Sequence, residues 1–214
     1  EWKYETKVKP YFRAFIEKGG FPETFSFKTE KEFKDYLGSL VVDKIVFKDI
    51  PIAFKIEDPS FLKVLVELIA SNPGMYLDYA SLSRQYDKDR RVIKNYVAYL
   101  QESFMIRILG NYRKGSMVSL RKIKKAYPAD NSLIYLYKSN IDEGFFGKMV
   151  ETHIVNSLKA VSFWKNGGEV DIIYHDNPIE VKYQENINAR EISSLREFMR
   201  KFNKKEAVLI TKNE

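Results

Sequence analysis

The chain contains no cysteine and only two histidines among its 214 residues. The absence of cysteine excludes disulfide bonds and cysteine-based zinc sites, and it suits the reducing cytoplasm. Two histidines, His153 and His175, are too few for a zinc cluster, so we interpret both as structural residues. The longest apolar runs, such as 207–210, are far too short to span a bilayer. These absences predict a cytoplasmic protein that has no membrane segment.

The formal charge is +7 at pH 7, and it is unevenly distributed along the chain. Residues 103–129 contain seven Lys or Arg and no Asp or Glu. Such a basic segment is typical of a protein that binds a polyanion, and it favours DNA as a partner. The alternative is a lysine-rich, solvated surface of the kind found on thermophilic proteins. Because the chain begins with Glu1 rather than Met, we expect it to be part of a longer protein.

Residue patterns predict an α+β multidomain chain whose first part, residues 1–55, is a helical segment. One helix is predicted to end near Lys18, where two glycines and a proline follow. Thr29 and Glu32 then form a capping box that opens a second helix. That helix is predicted to end near Pro51, because proline disfavours a helix interior.

Residues 56–126 follow the order of a winged-helix domain, three helices and then a β-hairpin. The predicted elements are helices beginning at Asp58-Pro59, spanning about 78–86 and following 87–89, then strands at 105–109 and 117–123 with a turn at 110–111. The third helix would enter the DNA major groove. Its inward residues are predicted to be Val92, Ile93, Tyr96, Val97, Leu100 and Phe104. The candidate DNA-binding residues are Arg90, Arg91, Lys94 and Asn95 on its outer face, beside Gln101, and Arg113 and Lys114 at the hairpin tip. Winged helices also act as protein-protein spacers, so this alternative stays open.

Residues 127–214 are predicted to form an α/β domain. The predicted elements are a strand at 132–137, a helix at 144–161, a hairpin at 169–183, a helix at 189–202 and a strand at 207–210. The last run shows no apolar alternation, so we expect it to be buried on both faces. A strand, a helix and a buried strand in this order predict a parallel pair.

The hairpin sequence EVDIIYHDNPIEVKY carries a polar face with the candidate catalytic residues Asp171, Glu180 and Lys182. A two-residue turn at 176–177 and a four-residue loop at 175–178 give the same register, in which Asp171 faces Lys182. A three-residue loop would separate these side chains. Two carboxylates within about 7 Å of each other can share Mg²⁺, and a nearby ammonium could orient or help to deprotonate the attacking water. The alternative is a simple cross-strand ion pair between Asp171 and Lys182.

Asp171, eight intervening residues and then Glu180-Val181-Lys182 resemble the signature of the restriction-endonuclease-like PD-(D/E)xK nuclease superfamily. The resemblance implies an α/β core whose initial helix donates a further carboxylate, here Glu151 in the segment GKMVE. It implies Asp171, Glu180, Lys182 and Glu151 as catalytic residues, with Mg²⁺ or Mn²⁺ held by Asp171 and Glu180. The sequence departs from the superfamily in having Gly168-Glu169-Val170 where a proline commonly precedes the aspartate.

A wider resemblance covers most of the chain. The segments GGFPE, LIASNPGMYLDYASLSRQY, KNYVAYLQESFMI, GKMVE and GGEVDIIY…IEVK, in this order, resemble the C-terminal half of a family of archaeal and bacterial AAA-type ATPases. In that family a P-loop ATPase precedes a winged helix and a nuclease-like domain. The resemblance therefore implies that 1–55 is a remnant of the ATPase lid and linker, 56–126 a winged helix and 127–214 a nuclease-like domain. It implies ATP only through an N-terminal domain that is absent from this sequence.

The sequence thus predicts the DNA-binding and nuclease-like region of an archaeal ATPase, a candidate Mg²⁺-dependent endonuclease. Its expected partners are DNA and its own ATPase domain, with no membrane, and its oligomeric state stays open. Two alternatives remain: a DNA-binding module without catalysis, and a regulatory module that docks on the ATPase.

Overall fold

The structure is a computed structural model that describes residues 5–113, 123–138 and 140–212. Its N-terminal part is helical, as predicted. The elements are α1 (Glu5–Lys18), a 3₁₀ turn (Pro22–Phe25), α2 (Glu30–Asp35), π-helical turns at Tyr36–Val42 and Ile45–Asp49, and α3 (Ile50–Phe54). The capping box is confirmed, because the Thr29 side chain accepts from the Glu32 amide and the Glu32 side chain accepts from the Thr29 amide.

The second helical run continues past its predicted end at Pro51 and reaches Phe54. The amide of Ile50 bonds five residues back to the carbonyl of Ile45, whereas the amide of Lys55 bonds four residues back to the carbonyl of Pro51. The helical hydrogen-bond pattern therefore changes from π to α across the proline. The missing N–H of Pro51 falls at this change, which explains why it does not end the helix.

The described residues from 56 to 128 form three helices and three strands. They are α4 (Pro59–Ser71), β1 (Met75–Tyr76), α5 (Tyr79–Tyr86), α6 (Arg90–Glu102), β2 (Ile106–Asn111) and β3 (Lys124–Pro128). Side chains of Asp58, Asp78 and Asp89 cap the three helices. Ile93, Tyr96, Val97 and Leu100 of α6 are buried as predicted. The prediction for Phe104 is wrong: the chain leaves α6 with a positive φ at this residue, which places its ring 85% exposed.

The predicted turn at 110–111 is wrong because β2 continues through both residues. Here β2 pairs in parallel with β4 (Ser162–Asn166), a strand that the sequence patterns do not predict. The side chain of Asn111 extends this pairing, since its amide group bonds the carbonyl and the N–H of Lys165 at 3.0 and 2.9 Å. The returning strand, β3, pairs antiparallel with β2 over 124–128. Most of the strand predicted at 117–123 lies outside the described residues.

The segment predicted as a strand at 132–137 is instead a helix, α7 (Asn131–Tyr137). Asp130 caps it, because its carboxylate accepts a hydrogen bond from the Ser132 amide at 2.8 Å. Leu133 and Tyr137 are four residues apart and pack on one core cluster, while Ile134 packs on another. This spacing suits a helix between two packed surfaces. Next comes α8 (Glu143–Ser157), which ends before the predicted limit at residue 161.

The C-terminal part forms a second sheet. Its elements are β5 (Gly168–Val170), β6 (Ile172–Tyr174), β7 (Asn177–Lys182), α9 (Ser193–Phe202) and β8 (Val208–Thr211). The first sheet has the order β1-β3-β2-β4-β5, and the second has the order β6-β7-β8. The parallel pairing of β7 with β8 is as predicted. Burial of β8 on both faces is wrong: β8 is the edge strand of its sheet, and Val208 is 47% exposed.

The described residues therefore form a mixed α and β structure with two sheets. The five-stranded sheet includes strands from both sides of residue 126, where the sequence predicts a domain boundary. Throughout the described ranges, no helix has the length and apolarity needed to cross a membrane.

Candidate active site

Asp171 lies where one extended segment passes from the first sheet to the second. β5 precedes it and pairs with β4, whereas β6 follows it and pairs with β7. The carboxylate of Asp171 accepts a hydrogen bond from the backbone amide of Val181 at 3.0 Å. The backbone amide of Asp171 donates to the carboxylate of Glu180 at 3.4 Å. Asp171 is 8% exposed and Glu180 is 3% exposed, so both carboxylates are buried at this bend.

The hairpin register differs by two residues from the predicted one. The turn consists of His175 and Asp176, both with positive φ, and Tyr174 pairs with Asn177. Positive φ at both central residues is the geometry of a type I′ turn. Because the shift is an even number, the predicted polar face is preserved. The observed register places Asp171 opposite Glu180 rather than opposite Lys182.

Lys182 pairs with Glu180 and not, as in the predicted register, with Asp171. Its Nζ lies 2.7 Å from Oε1 of Glu180. Burial tends to lower the pKa of Lys182, but the hydrogen bond and the charge of Glu180 outweigh this effect and raise it. Burial raises the pKa of the Glu180 carboxyl, and the charge of Asp171 adds to this increase. The lysine is thus held as an ammonium inside the site.

Glu151 points from α8 into the same region, as the sequence predicts. Its Oε1 accepts a hydrogen bond of 2.6 Å from the hydroxyl of Tyr127. Burial, together with the charge of Asp171, raises the pKa of Glu151 to about 7. The helix, the bend and β7 therefore each contribute a carboxylate to one buried region.

Two further residues of the site, Lys125 and Glu169, are not singled out as site residues by the sequence patterns. Lys125 lies on β3, is 5% exposed, and forms an ion pair with Glu169. Its Nζ is 3.8 Å from Oε1 of Glu151 and 4.0 Å from Oδ1 of Asp171. Side-chain alternation along β3 could have identified Lys125 as a site residue. Lys125 and Tyr127 occupy the same face of that strand, and both contact Glu151.

Glu169 belongs to the polar face of the predicted hairpin and lies on β5. The hydroxyl of Tyr76 donates to its carboxylate, and Nζ of Lys165 lies 3.5 Å away. Burial raises the pKa of Glu169 to about 7, and the charges of Asp171 and Glu180 contribute to this shift. We refer to Glu151, Glu169, Asp171 and Glu180 as the carboxylate cluster.

The carboxylate cluster has a surplus of acidic groups. Four carboxyl groups surround two buried or half-buried ammonium groups, those of Lys125 and Lys182. Like charges at short range in a poorly solvated place disfavour ionisation, which explains the raised pKa values of Glu151 and Glu169. Carboxylate oxygens are the ligands that Mg²⁺ and Mn²⁺ prefer, so the donor chemistry fits a divalent ion.

The carboxylate oxygens are contacted by lysine side chains and backbone amides. Within residues 5–113, 123–138 and 140–212, no three His, Cys, Asp or Glu side chains converge as a ready metal-binding group. The ammonium of Lys125 instead lies among Glu151, Glu169 and Asp171. The metal site on Asp171 and Glu180 therefore stays a prediction.

The candidate DNA-binding residues do not belong to the carboxylate cluster. Arg90, Arg91, Lys94 and Asn95 are exposed on the first turns of α6, as predicted, and Arg113 is exposed just after β2. Lys114 lies outside the described residues. DNA binding by this surface stays a prediction.

Comparison with known proteins places the chain in one family. Residues 9–143 match a family described as a domain of unknown function, DUF8612. The chain belongs to this family. No curated protein and no solved structure shows a significant match to the chain. The DUF8612 match includes Lys125 and Tyr127 but ends before Glu151 and the rest of the carboxylate cluster.

Proposed function

We propose that this chain is the DNA-binding and nuclease-like region of an archaeal ATPase, and that its carboxylate cluster hydrolyses phosphodiester bonds. The observation that carries the proposal is the meeting of Glu151, Asp171, Glu180 and Lys182 from α8, the sheet bend and β7. These are the residues that the nuclease resemblance implies. The parallel pair β7 and β8, connected through α9, supports an α/β core of that kind.

Asp171 and Glu180, with Glu151 beside them, are the residues that would hold Mg²⁺ or Mn²⁺. A divalent ion polarises a phosphoryl oxygen and lowers the pKa of bound water. Lys182 remains protonated because of its raised pKa, so its role is to orient water and to stabilise negative charge on the phosphate. Glu151 and Glu169, with pKa values of about 7, suit the role of proton acceptor at neutral pH.

The part from α4 to β3 supports the DNA-binding half of the proposal. Its three described helices precede the antiparallel strands β2 and β3, and the short strand β1, between the first two helices, completes the strand order β1-β3-β2. This is the order expected of a winged helix, with α6 as the helix that enters the major groove. Arg90, Arg91 and Lys94 would meet phosphates there, and Asn95 could reach a base edge.

The test is cleavage of supercoiled plasmid and short duplexes in Mg²⁺ or Mn²⁺. Asp171→Asn and Lys182→Met should each lower the rate by about 100-fold or more, because they remove a charged group from the reacting centre. Glu185→Gln is the matched control, since Glu185 is an exposed carboxylate outside the cluster and its loss should leave the rate unchanged. Cleavage that survives both Asp171→Asn and Lys182→Met would overturn the proposal.

A second candidate is a DNA-binding or protein-docking module of the ATPase that has no catalytic activity. The position of Lys125 favours it, because the charge of this ammonium compensates carboxylates that a metal ion would otherwise be needed to neutralise. It predicts salt-dependent DNA binding with no detectable Mg²⁺ or Mn²⁺ binding by calorimetry. Absence of DNA binding at low salt would favour the docking role instead.

A further inference from the structure

A groove of about 910 Å³ lies between the first turn of α6 and the carboxylate cluster. The aromatic and cationic residues of its lining are Tyr76, Tyr79, Arg90, Lys94, Lys124 and Lys165. We call this surface the basic groove. It combines one end of the candidate DNA-binding helix with residues of β1, β3 and β4.

The basic groove is strongly cationic. Four of its lining side chains carry a positive charge, and Asp78 is the acidic residue of the described lining. The carboxylate of Asp78 is directed at the start of α5, where it accepts hydrogen bonds from the amides of Ala80 and Ser81 at 2.9 and 3.1 Å. The net charge of the described lining therefore favours an anionic ligand such as a row of phosphates.

The groove also contains aromatic rings. Tyr76 is 39% exposed, and Nζ of Lys165 lies 5.7 Å from the centre of its ring. Nζ of Lys94 lies 5.6 Å from the ring centre of Tyr79. Rings interleaved with cations are typical of surfaces that bind single strands, since unpaired bases can stack on aromatic side chains. Bases inside a duplex are already stacked on each other, so this combination favours a single strand.

One end of the basic groove reaches the carboxylate cluster. The hydroxyl of Tyr76 donates a hydrogen bond to the carboxylate of Glu169, and Nζ of Lys165 lies 3.5 Å from the same carboxylate. The groove and the cluster thus share a boundary formed by Tyr76, Lys165 and Glu169. A strand lying in the groove would bring its phosphates to the edge of the acidic centre.

We infer that the basic groove binds a single strand of nucleic acid, through phosphates on Lys124 and Lys165 and a base on Tyr76, beside the duplex surface proposed for α6. The delivery of that strand to the carboxylate cluster rests on the proposed function, whereas the binding itself does not. The ligand chemistry is a single-stranded polynucleotide, and separate DNA and RNA probes identify which type is preferred.

The experiment measures fluorescence anisotropy of labelled oligo(dT) and oligo(rU) and of a duplex of equal length, with the full chain and in EDTA. We expect the chain to bind at least one single strand more tightly than the duplex. Lys124→Ala/Lys165→Ala should weaken that binding about tenfold and reduce the salt dependence of log Kd by about 1.4, because each phosphate contact contributes about 0.7. The control is Lys44→Ala/Lys48→Ala, which removes the same charge from exposed lysines outside the groove.

Tyr76 provides a second measurement. Tyr76→Phe keeps the ring and should retain single-strand affinity, whereas Tyr76→Leu should weaken it severalfold while its thermal unfolding stays cooperative. Equal single-strand affinities and salt slopes for the groove variant and the control would overturn the inference, and so would a groove variant that weakens duplex binding but not single-strand binding.

The outcomes also separate this inference from the proposed nuclease function. If groove variants lose binding but neither Asp171→Asn nor Lys182→Met alters cleavage, the binding inference stands and the nuclease proposal fails. If Asp171→Asn abolishes cleavage but groove variants bind normally, the nuclease proposal stands and this inference fails.

Discussion

The ammonium of Lys125 lies 3.8 Å from the carboxylate of Glu151, and this pair connects β3 to α8 inside the protein. Lys125 is 5% exposed, so water contributes little to its solvation. Its charge is balanced by the carboxylates around it, and theirs is balanced in part by Lys125. Removing one partner leaves the others buried without compensation.

We expect Lys125→Met to destabilise the protein by about 3–5 kcal/mol at about pH 8, where the carboxyl groups are ionised. At about pH 5.5 the loss should be smaller, because Glu151 and Glu169 have pKa values of about 7 and are protonated there. Urea unfolding at both pH values measures the difference. Lys165→Met is the control, since this lysine is 37% exposed and its pair with Glu169 should contribute at most about 1 kcal/mol. Equal destabilisation by Lys125→Met at both pH values would contradict the prediction.

Glu151 should make stability fall as pH rises from about 4.5 to about 7. Its pKa is raised from 4.5 to about 7 in the folded protein, so in this window the folded state binds a proton that the unfolded state has lost. Glu151→Gln removes that proton linkage and can still accept the hydrogen bond of Tyr127. The stability of the variant relative to wild type should therefore increase with pH, by at most about 1.4 kcal/mol per unit.

Urea titrations at several pH values between about 4.5 and 8 test this linkage. Glu185→Gln is the matched control because that side chain is 61% exposed. A relative stability of Glu151→Gln that stays constant, or that falls with pH, would contradict a raised pKa of Glu151 in the folded protein.

Binding of Mg²⁺ or Mn²⁺ should release protons near neutral pH. Metal binding requires deprotonated carboxylates, and Glu151 and Glu169 are each about half protonated at a pH near their pKa of about 7. We expect release of up to about one proton per ion bound. Calorimetry in Tris and in PIPES, whose ionisation enthalpies differ, measures this number directly. Binding heats that are the same in both buffers would exclude proton release, and Asp171→Asn should abolish the binding.

Gly19→Ala should destabilise the protein by more than about 2 kcal/mol. Gly19 has a φ of +76°, and an added Cβ would lie 2.0 Å from Oδ1 of Asp130. The same carboxylate accepts a hydrogen bond from the Gly20 amide at 3.0 Å and caps α7. The substitution would therefore separate the segment after α1 from the start of α7.

Gly38→Ala provides the comparison for this prediction. An added Cβ there would meet Cδ1 of Leu136 at an ordinary distance of 3.8 Å. Because Gly38 lies within a helical run, alanine should be neutral or stabilising by up to about 1 kcal/mol. The urea midpoint of Gly19→Ala should thus be clearly lower than that of Gly38→Ala. Similar midpoints would contradict the role assigned to Gly19.

Local signals in the sequence predict much of the helical structure. Asp58 followed by proline, Asp78 and Asp89 each predict a helix start, and each caps one in the structure. Such caps act within a few residues, so they can be recognised without knowledge of the fold. The parity of the hairpin also places Asp171 and Glu180 on one face, because side chains alternate along any strand.

Features that depend on distant contacts are not predicted. In the sequence, Lys125 cannot be distinguished from the other lysines of its basic segment. Its role depends on carboxylates that three other elements place around it. The segment 132–137 has strand-like residues, but Asp130 and two packing surfaces select a helix. β4 is short, and its pairing with the end of β2 joins residues about fifty positions apart. Such pairings are set by the tertiary structure and not by local preference.

The position of Asp171 between β5 and β6 has a mechanical consequence. Along this segment, a rotation of one sheet relative to the other must be absorbed by the backbone angles of Asp171. Its carboxylate and its amide are both held by β7, through Val181 and Glu180. A change in the angle between the sheets, for example when a nucleic-acid strand binds beside β4, would therefore reorient the carboxylate cluster. In this fold, the geometry of the carboxylate cluster therefore depends on the angle between the two sheets.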